Sequence, residues 1–147
     1  LLILKGSTHL EKWYTKTDIP DEYAFRLSST GYSNDTLSLE WLKHFDYYSS
    51  RRQRGVYRLL IFDGFGSHCT VEFFRYADDH KIILFTLPPH TSHDLQPLDV
   101  VCFQPFKHYH KSAVEAATRT GCTDFNKVEF LYAIKGIRAA TFKQRTI

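Results

Sequence analysis

The sequence predicts an α/β protein. Two short, almost wholly apolar runs, Tyr57 to Phe62 and Lys81 to Leu87, have the character of strands covered on both faces of an α/β sheet. Between them lies a stretch whose Phe73, Phe74 and Ala77 give one apolar side at helical spacing. Strand, helix, strand in that order implies a right-handed parallel crossover. At 147 residues, 43% of them hydrophobic and 16% aromatic, the chain has the size of one domain of about 150 residues and the means to bury a core.

Each element follows in turn. Leu1 to Leu4 reads as a strand stub, ended by a polar turn at Lys5-Gly6-Ser7, and an irregular stretch then carries Trp13 and Tyr14. After the turn at Pro20-Asp21, Tyr23 to Leu27 is extended. Leu37, Trp41, Leu42 and Phe45 recur at helical spacing, and Ser33, Asn34, Asp35 and Thr36 offer caps for that helix. Arg51-Arg52-Gln53-Arg54-Gly55 closes it as a basic loop, which suits a solvated connector as well as a phosphate contact. Thr70 can cap the crossover helix. Pro88-Pro89 stops the next strand, Pro97 can open a helix bearing Asp99, and Pro105 kinks it or restarts it through Lys107 to Ala117. Gly121 closes that segment, and a last helix is expected from Asp124 through Val128, Leu131, Ile134 and Ile137.

Nineteen Lys plus Arg against sixteen Asp plus Glu leave a net charge of +3, with eight His besides. An anionic partner is permitted by that balance but not demanded. Seven Gly and five Pro exclude a low-complexity linker, and the aromatic content excludes disorder. No apolar run approaches the roughly 18 residues that span a bilayer, so the chain is expected to be soluble and unsecreted. Cys69, Cys102 and Cys122 are odd in number and lack Cys-x-x-Cys spacing, which predicts small core residues rather than a disulfide framework or zinc knuckle. The chain has no Met and opens on an apolar tetrad, so it is expected to be a piece of something longer.

Chemistry is expected at Asp63. It ends a buried-type strand and precedes the Gly-rich Gly64-Phe65-Gly66 turn, which lets other groups approach closely, at the edge where open α/β sheets place their sites; the alternative is that it caps its own turn. Asp99 follows the next strand and is expected at the same edge. Two carboxylates brought together repel, and a hard divalent cation relieves that repulsion while leaving positions for water and phosphate oxygens.

The run Tyr57-Arg58-Leu59-Leu60-Ile61-Phe62-Asp63-Gly64-Phe65-Gly66-Ser67-His68, then Lys81-Ile82-Ile83-Leu84, Leu87-Pro88-Pro89-His90-Thr91-Ser92-His93 and Leu95-Gln96-Pro97-Leu98-Asp99 resembles the DDE endonuclease domain of pogo-type transposases of the mariner superfamily, particularly fungal ones. The last two blocks form the specific signature. The resemblance takes in the Lys5-Gly6 and Trp13 region and Trp41-Leu42-Lys43-His44-Phe45, and so runs to about Ala117.

It implies a ribonuclease-H-like mixed sheet flanked by helices, in which three acidic residues hold two metal ions, Mg²⁺ or Mn²⁺. Residues 1–147 would then be one partial catalytic domain, lacking the first strand or strands. Matched by motif, Asp63 is the second acid and Asp99 the third, both catalytic and both metal ligands; the first has no counterpart in the chain. Phe65 stands where relatives commonly carry His. The resemblance further implies DNA as partner, the nucleus as location, a homodimer of the full-length protein, and phosphodiester cleavage followed by strand transfer. This chain alone is expected to cleave poorly, and without a central first strand, to be marginal or prone to aggregate.

Rival assignments exist for several of these residues. His90-x-x-His93 with Asp94 and His68 suggests zinc, but a loop after Pro-Pro lacks the helical register of His-Glu-x-x-His. His68 and His93 are better placed as groups hydrogen-bonded near the carboxylates. Gly64-Phe65-Gly66 lacks the Lys-Ser/Thr pair of a phosphate loop. Arg51, Arg52, Arg54, Lys107 and Lys111 are candidate DNA contacts, although Lys107 to Lys111 reads equally as a solvated helix face. The whole chain could also be a non-catalytic DNA-binding remnant of a mobile element.

Overall fold

The computed structural model describes residues 1–17, 19–20, 22–63, 70–88, 96 and 98–143. The chain forms β1 (Leu2–Lys5), α1 (Lys12–Thr15), β2 (Phe25–Ser28), α2 (Asp35–Ser50), β3 (Arg58–Phe62), α3 (Val71–Asp79), β4 (Ile82–Thr86), a π-helical turn (Leu98–Cys102), α4 (Phe103–Arg119) and α5 (Lys127–Thr141). Two compact units result, one from Leu1–Ser7 with Ala24–Gln96, the other from Thr8–Tyr23 with Pro97–Ile147.

In the first unit both strand pairs are parallel. β1 runs beside β2 from Leu2 opposite Phe25 to Lys5 opposite Ser28, and β3 beside β4 from Arg58 opposite Ile82 to Phe62 opposite Thr86. Among the described residues these make two separate two-stranded sheets. The expected strand, helix, strand crossover is thus β3, α3, β4. Asn34 caps α2 by accepting from the Leu37 N–H at 2.9 Å, and Thr70 caps α3 by accepting from Phe73 N–H at 3.2 Å, as the sequence predicts for both helices. Leu42, Leu60, Phe73, Ala77 and Ile82 form the core, with Trp41, Phe45, Tyr76 and Leu84 packed on it. Burying a Leu, Ile or Phe side chain stabilises by about 1.5–3 kcal/mol, and the Ala77 methyl by correspondingly less.

One expectation is corrected here. The apolar runs predict strands covered on both faces, yet among the described residues only one face is covered. Leu60, Phe62 and Ile82 are buried, while Leu59, Ile61, Ile83 and Phe85 are 44–57% exposed. Side chains alternate across a strand, so a continuous apolar run is compatible with one covered face or with two.

In the second unit α5 supplies the buried face. Leu131, Ile134, Ile137 and Thr141 are all buried, and Thr141 Oγ1 donates back to the Ile137 carbonyl at 2.8 Å. The helix starts later than the Asp124 expected from the sequence, and Asn126 is its cap: Asn126 Oδ1 accepts from Val128 N–H at 2.9 Å, and Glu129 Oε2 accepts from Asn126 N–H at 3.0 Å. That reciprocal capping box satisfies two donors that Asp124 does not reach. α4 packs on α5, with His110 edge-on to Phe125 and Phe130 at 5.7 and 5.8 Å. It ends in a Schellman turn, Cys122 N–H to Ala117 O at 2.9 Å and Gly121 N–H to Thr118 O at 3.1 Å. The turn needs the φ of +93° that Gly121 adopts. Trp13 of α1 is buried, with Lys127 Nζ 4.7 Å from its ring centroid. Cys102 is buried as expected, Cys122 partly so, and Cys69 lies outside the described residues.

Candidate functional site

Parallel strands start at one edge of a sheet and finish at the other, so whatever follows β3 and β4 emerges on the same side. Asp63 comes directly after Phe62, the last residue of β3, and its side chain is exposed. The Phe62 carbonyl accepts from Leu87 N–H at 2.9 Å, which ties the exit of β3 to the exit of β4. His68, His90, His93 and Asp94 lie outside the described residues, as does the Gly64-Phe65-Gly66 turn.

Asp99 belongs to the second unit. It is half-buried, in the first turn of the helical element that begins with the π turn Leu98–Cys102 and continues as α4. An acid there lies at the positive end of the helix dipole. Pro105 explains the unusual register: it has no N–H to give the carbonyl of Val101, four residues back, so the ordinary α-helical bond is missing there. π turns recur at functional sites.

The opposite edge of β3 carries a denser polar constellation. Arg58 Nη2 lies 2.6 Å from Asp46 Oδ1 and donates to the His80 carbonyl at 2.9 Å, while Nη1 donates to Ser49 Oγ at 2.8 Å and to the Asp46 carbonyl at 3.1 Å. Tyr76 donates its hydroxyl to Asp46 Oδ2 at 3.0 Å and stacks on the His80 ring at 3.9 Å. Burial pushes the Asp46 carboxyl up, but the hydrogen bonds from Arg58 and Tyr76 and the guanidinium charge outweigh it, so its pKa lies below the usual carboxylate value. Tyr76 is raised, by burial first and then by its bond to Asp46. This cluster joins α2, β3 and α3, and nothing in it opens onto the Asp63 edge. It is a structural clamp.

The basic candidates fall into two groups. Arg51 follows α2, and Arg52 and Arg54 are exposed in the loop after it; Lys107 and Lys111 are exposed on α4, with Lys111 3.9 Å from Glu115. What sequence reasoning missed is the aromatic company of the first group. Trp41, His44, Phe45, Tyr47 and Tyr48 recur along α2 beside Arg51, a spacing visible in the sequence, of which the helical period and the family resemblance use only Trp41, His44 and Phe45.

Among the described residues no three His, Cys, Asp or Glu side chains are grouped so as to hold a metal ion, and no helix is long and apolar enough to cross a membrane. A protein of Cochliobolus lunatus named MFS-type transporter clz9 is 36% identical over 146 residues, which are 99% of this chain and 16% of that protein. The chain therefore spans about a sixth of its curated relative, whose name describes the whole. No solved structure matches. The family model described as DDE superfamily endonuclease matches residues 1–145, across both units, and the chain belongs to that superfamily.

Proposed function

We propose that this chain is part of the catalytic domain of a pogo-type transposase of the mariner superfamily, of the kind frequent in fungi, with a ribonuclease-H-like fold. In the full-length protein its carboxylates serve metal-dependent cleavage of DNA and strand transfer in the nucleus, as a homodimer. The observation that carries this is the exposed Asp63 at the exit edge of a parallel strand pair, in a chain of the DDE endonuclease superfamily.

The donor set fits a hard divalent cation in kind. Asp63 and Asp99 offer carboxylate oxygens, the ligands that Mg²⁺ and Mn²⁺ prefer. When bound, such an ion lowers the pKa of water and offsets charge on the leaving oxygen. Asp63 and Asp99 would hold it, and Asp99 draws orientation from the helix it begins. Exposed Arg51, Arg52 and Arg54, together with Lys107 and Lys111, attract the DNA backbone and set its register. His68 and His93, which lie outside the described residues, are proposed to position the carboxylates.

Two carboxylates do not complete a two-ion cage, so metal binding tests the proposal more directly than turnover. Mn²⁺ titration of the 147-residue chain should show affinity lowered by Asp63→Asn and by Asp99→Asn, and the double variant should lose less than the sum. That non-additivity is the mark of a shared ion. Plasmid nicking should be weak. Additive losses, or no Mn²⁺ affinity at all, overturn the shared site, and DNA binding retained without metal affinity would identify a non-catalytic module instead.

A further inference from the structure

The second half of α2 carries three rungs in succession. Trp41 and Phe45 stack with ring centroids 5.8 Å apart, His44 and Tyr48 lie 4.7 Å apart, and the Arg51 guanidinium stands 4.1 Å from the Tyr47 ring. Each pair is four residues apart, one helical turn, so all three climb the same broad side of the helix. Trp41, His44, Phe45, Tyr48, Arg51 and Arg52 line a shallow cleft of about 580 Å³ there. No carboxylate lines it among the described residues, and Asp46, the nearest acid on α2, is engaged by Arg58.

Two features make this a prepared surface. The loop that carries the arginines is braced: Gln53 Nε2 donates to the carbonyls of Gly55 and Val56 at 2.7 and 2.9 Å, and Arg52 N–H donates to the Ser49 carbonyl at 3.0 Å. Tyr48 is also accessible, 43% exposed, with Trp41, His44 and Phe45 half-buried beside it. Burial, with help from the positive charge of Arg26, holds the His44 pKa below its usual value. At neutral pH it is a flat uncharged ring.

We propose that this cleft takes an unpaired nucleotide of a DNA strand, its base stacked on Tyr48 and its phosphates met by Arg51 and Arg52. A single strand offers π-faces and phosphates in alternation, which aromatic rings beside guanidinium groups match. A duplex keeps its bases stacked on one another, and so would use the arginines alone. An acidic peptide would likewise satisfy the arginines and leave the rings without a planar partner. The site stands apart from Asp63 and Asp99 in its chemistry, so it holds or fails independently of the nuclease proposal.

The chain has two tryptophans, of which Trp13 is buried and Trp41 borders the cleft. Quenching of intrinsic fluorescence by oligodeoxythymidylate therefore reads occupancy. Saturable quenching at low salt is expected, weakened about 5- to 150-fold by Tyr48→Leu, as loss of one base-stacking ring implies, and restored by Tyr48→Phe. Arg51→Gln with Arg52→Gln should flatten the salt dependence, by about 0.7 in log–log slope for each phosphate that is no longer neutralised. A duplex of equal length should be indifferent to Tyr48→Leu. Circular dichroism checks that each variant is folded. The proposal is overturned by absence of quenching, by Tyr48→Leu binding as the parent does, by Tyr48→Phe binding as weakly as Tyr48→Leu, or by preference for poly-glutamate over the oligonucleotide.

Discussion

The two ends of β3 carry opposite charges under opposite conditions. At its start Arg58 is almost enclosed, 11% exposed, and four acceptors from α2 and the α3–β4 corner fix its guanidinium. At its finish, five residues on, Asp63 is exposed at the edge where the chain leaves the sheet. A charge surrounded by partners has been committed to holding elements together. A charge that faces solvent can meet an ion or a substrate. The same strand therefore separates a stability site from a candidate chemical site, and substitutions at the two ends should differ in what they change.

The sharpest break should come at the clamp. Arg58→Leu leaves Asp46 mostly buried without its guanidinium, which is expected to destabilise by about 3 kcal/mol. Urea denaturation should show this as a lower midpoint. Mn²⁺ affinity of the folded protein should be unchanged. Asp63→Asn should do the reverse: a smaller shift of the urea midpoint than Arg58→Leu causes, since the Asp63 side chain is exposed, and Mn²⁺ affinity lower by more than the roughly 10- to 100-fold that loss of an outer partner costs. If Asp63→Asn unfolds the protein instead, the contrast between the two ends is wrong.

Acid separates the ends more gently. Asp46 has a folded pKa below its unfolded one, so the stability it contributes is complete above the unfolded value of about 4 and is lost as pH falls through the lower folded value. Thermal melts followed from pH 6 downward should thus show no loss from this group until about pH 4. Below that, the parent should lose more than Arg58→Leu, in which much of the cause of the depressed pKa has gone. Equal acid losses in the two proteins would mean that Arg58 does not hold Asp46 ionised.

How far the sequence discloses this arrangement depends on whether a feature is local. The caps at Asn34 and Thr70, the strands β3 and β4, and the apolar side of α5 were legible because each is written within a few neighbouring residues. Asn126 was legible in principle: Glu129 stands three residues on, and the capping box explains why it prevails over Asp124. The clamp was not, because Asp46, Arg58 and the Tyr76–His80 pair come from three separate stretches, α2, β3 and α3, and no spacing rule joins them. Nor could an apolar run reveal that Leu59, Ile61, Ile83 and Phe85 face outward. Asp63 was found by its position after a strand, whereas its expected meeting with Asp99 is a long-range matter that the Mn²⁺ double variant tests.

The smallest effect lies beside the clamp, where α3 hands over to β4. Lys81 has φ of +55°, in the left-handed region, and its N–H donates to the Asp78 carbonyl at 3.0 Å while its own carbonyl accepts from Arg58 N–H at 3.0 Å. A side chain pays about 1–2 kcal/mol for that backbone conformation, and glycine does not, although glycine loses more chain entropy on folding. Lys81→Gly should therefore stabilise by about 0.5–1 kcal/mol, read as a higher urea midpoint with an unchanged slope. The gain requires that the left-handed turn be imposed by the two backbone bonds on either side of it. Were Lys81→Gly destabilising, the lysine side chain would have to contribute more than the strain costs, and the clamp end of β3 would extend one residue further than the hydrogen bonds of Arg58 define it.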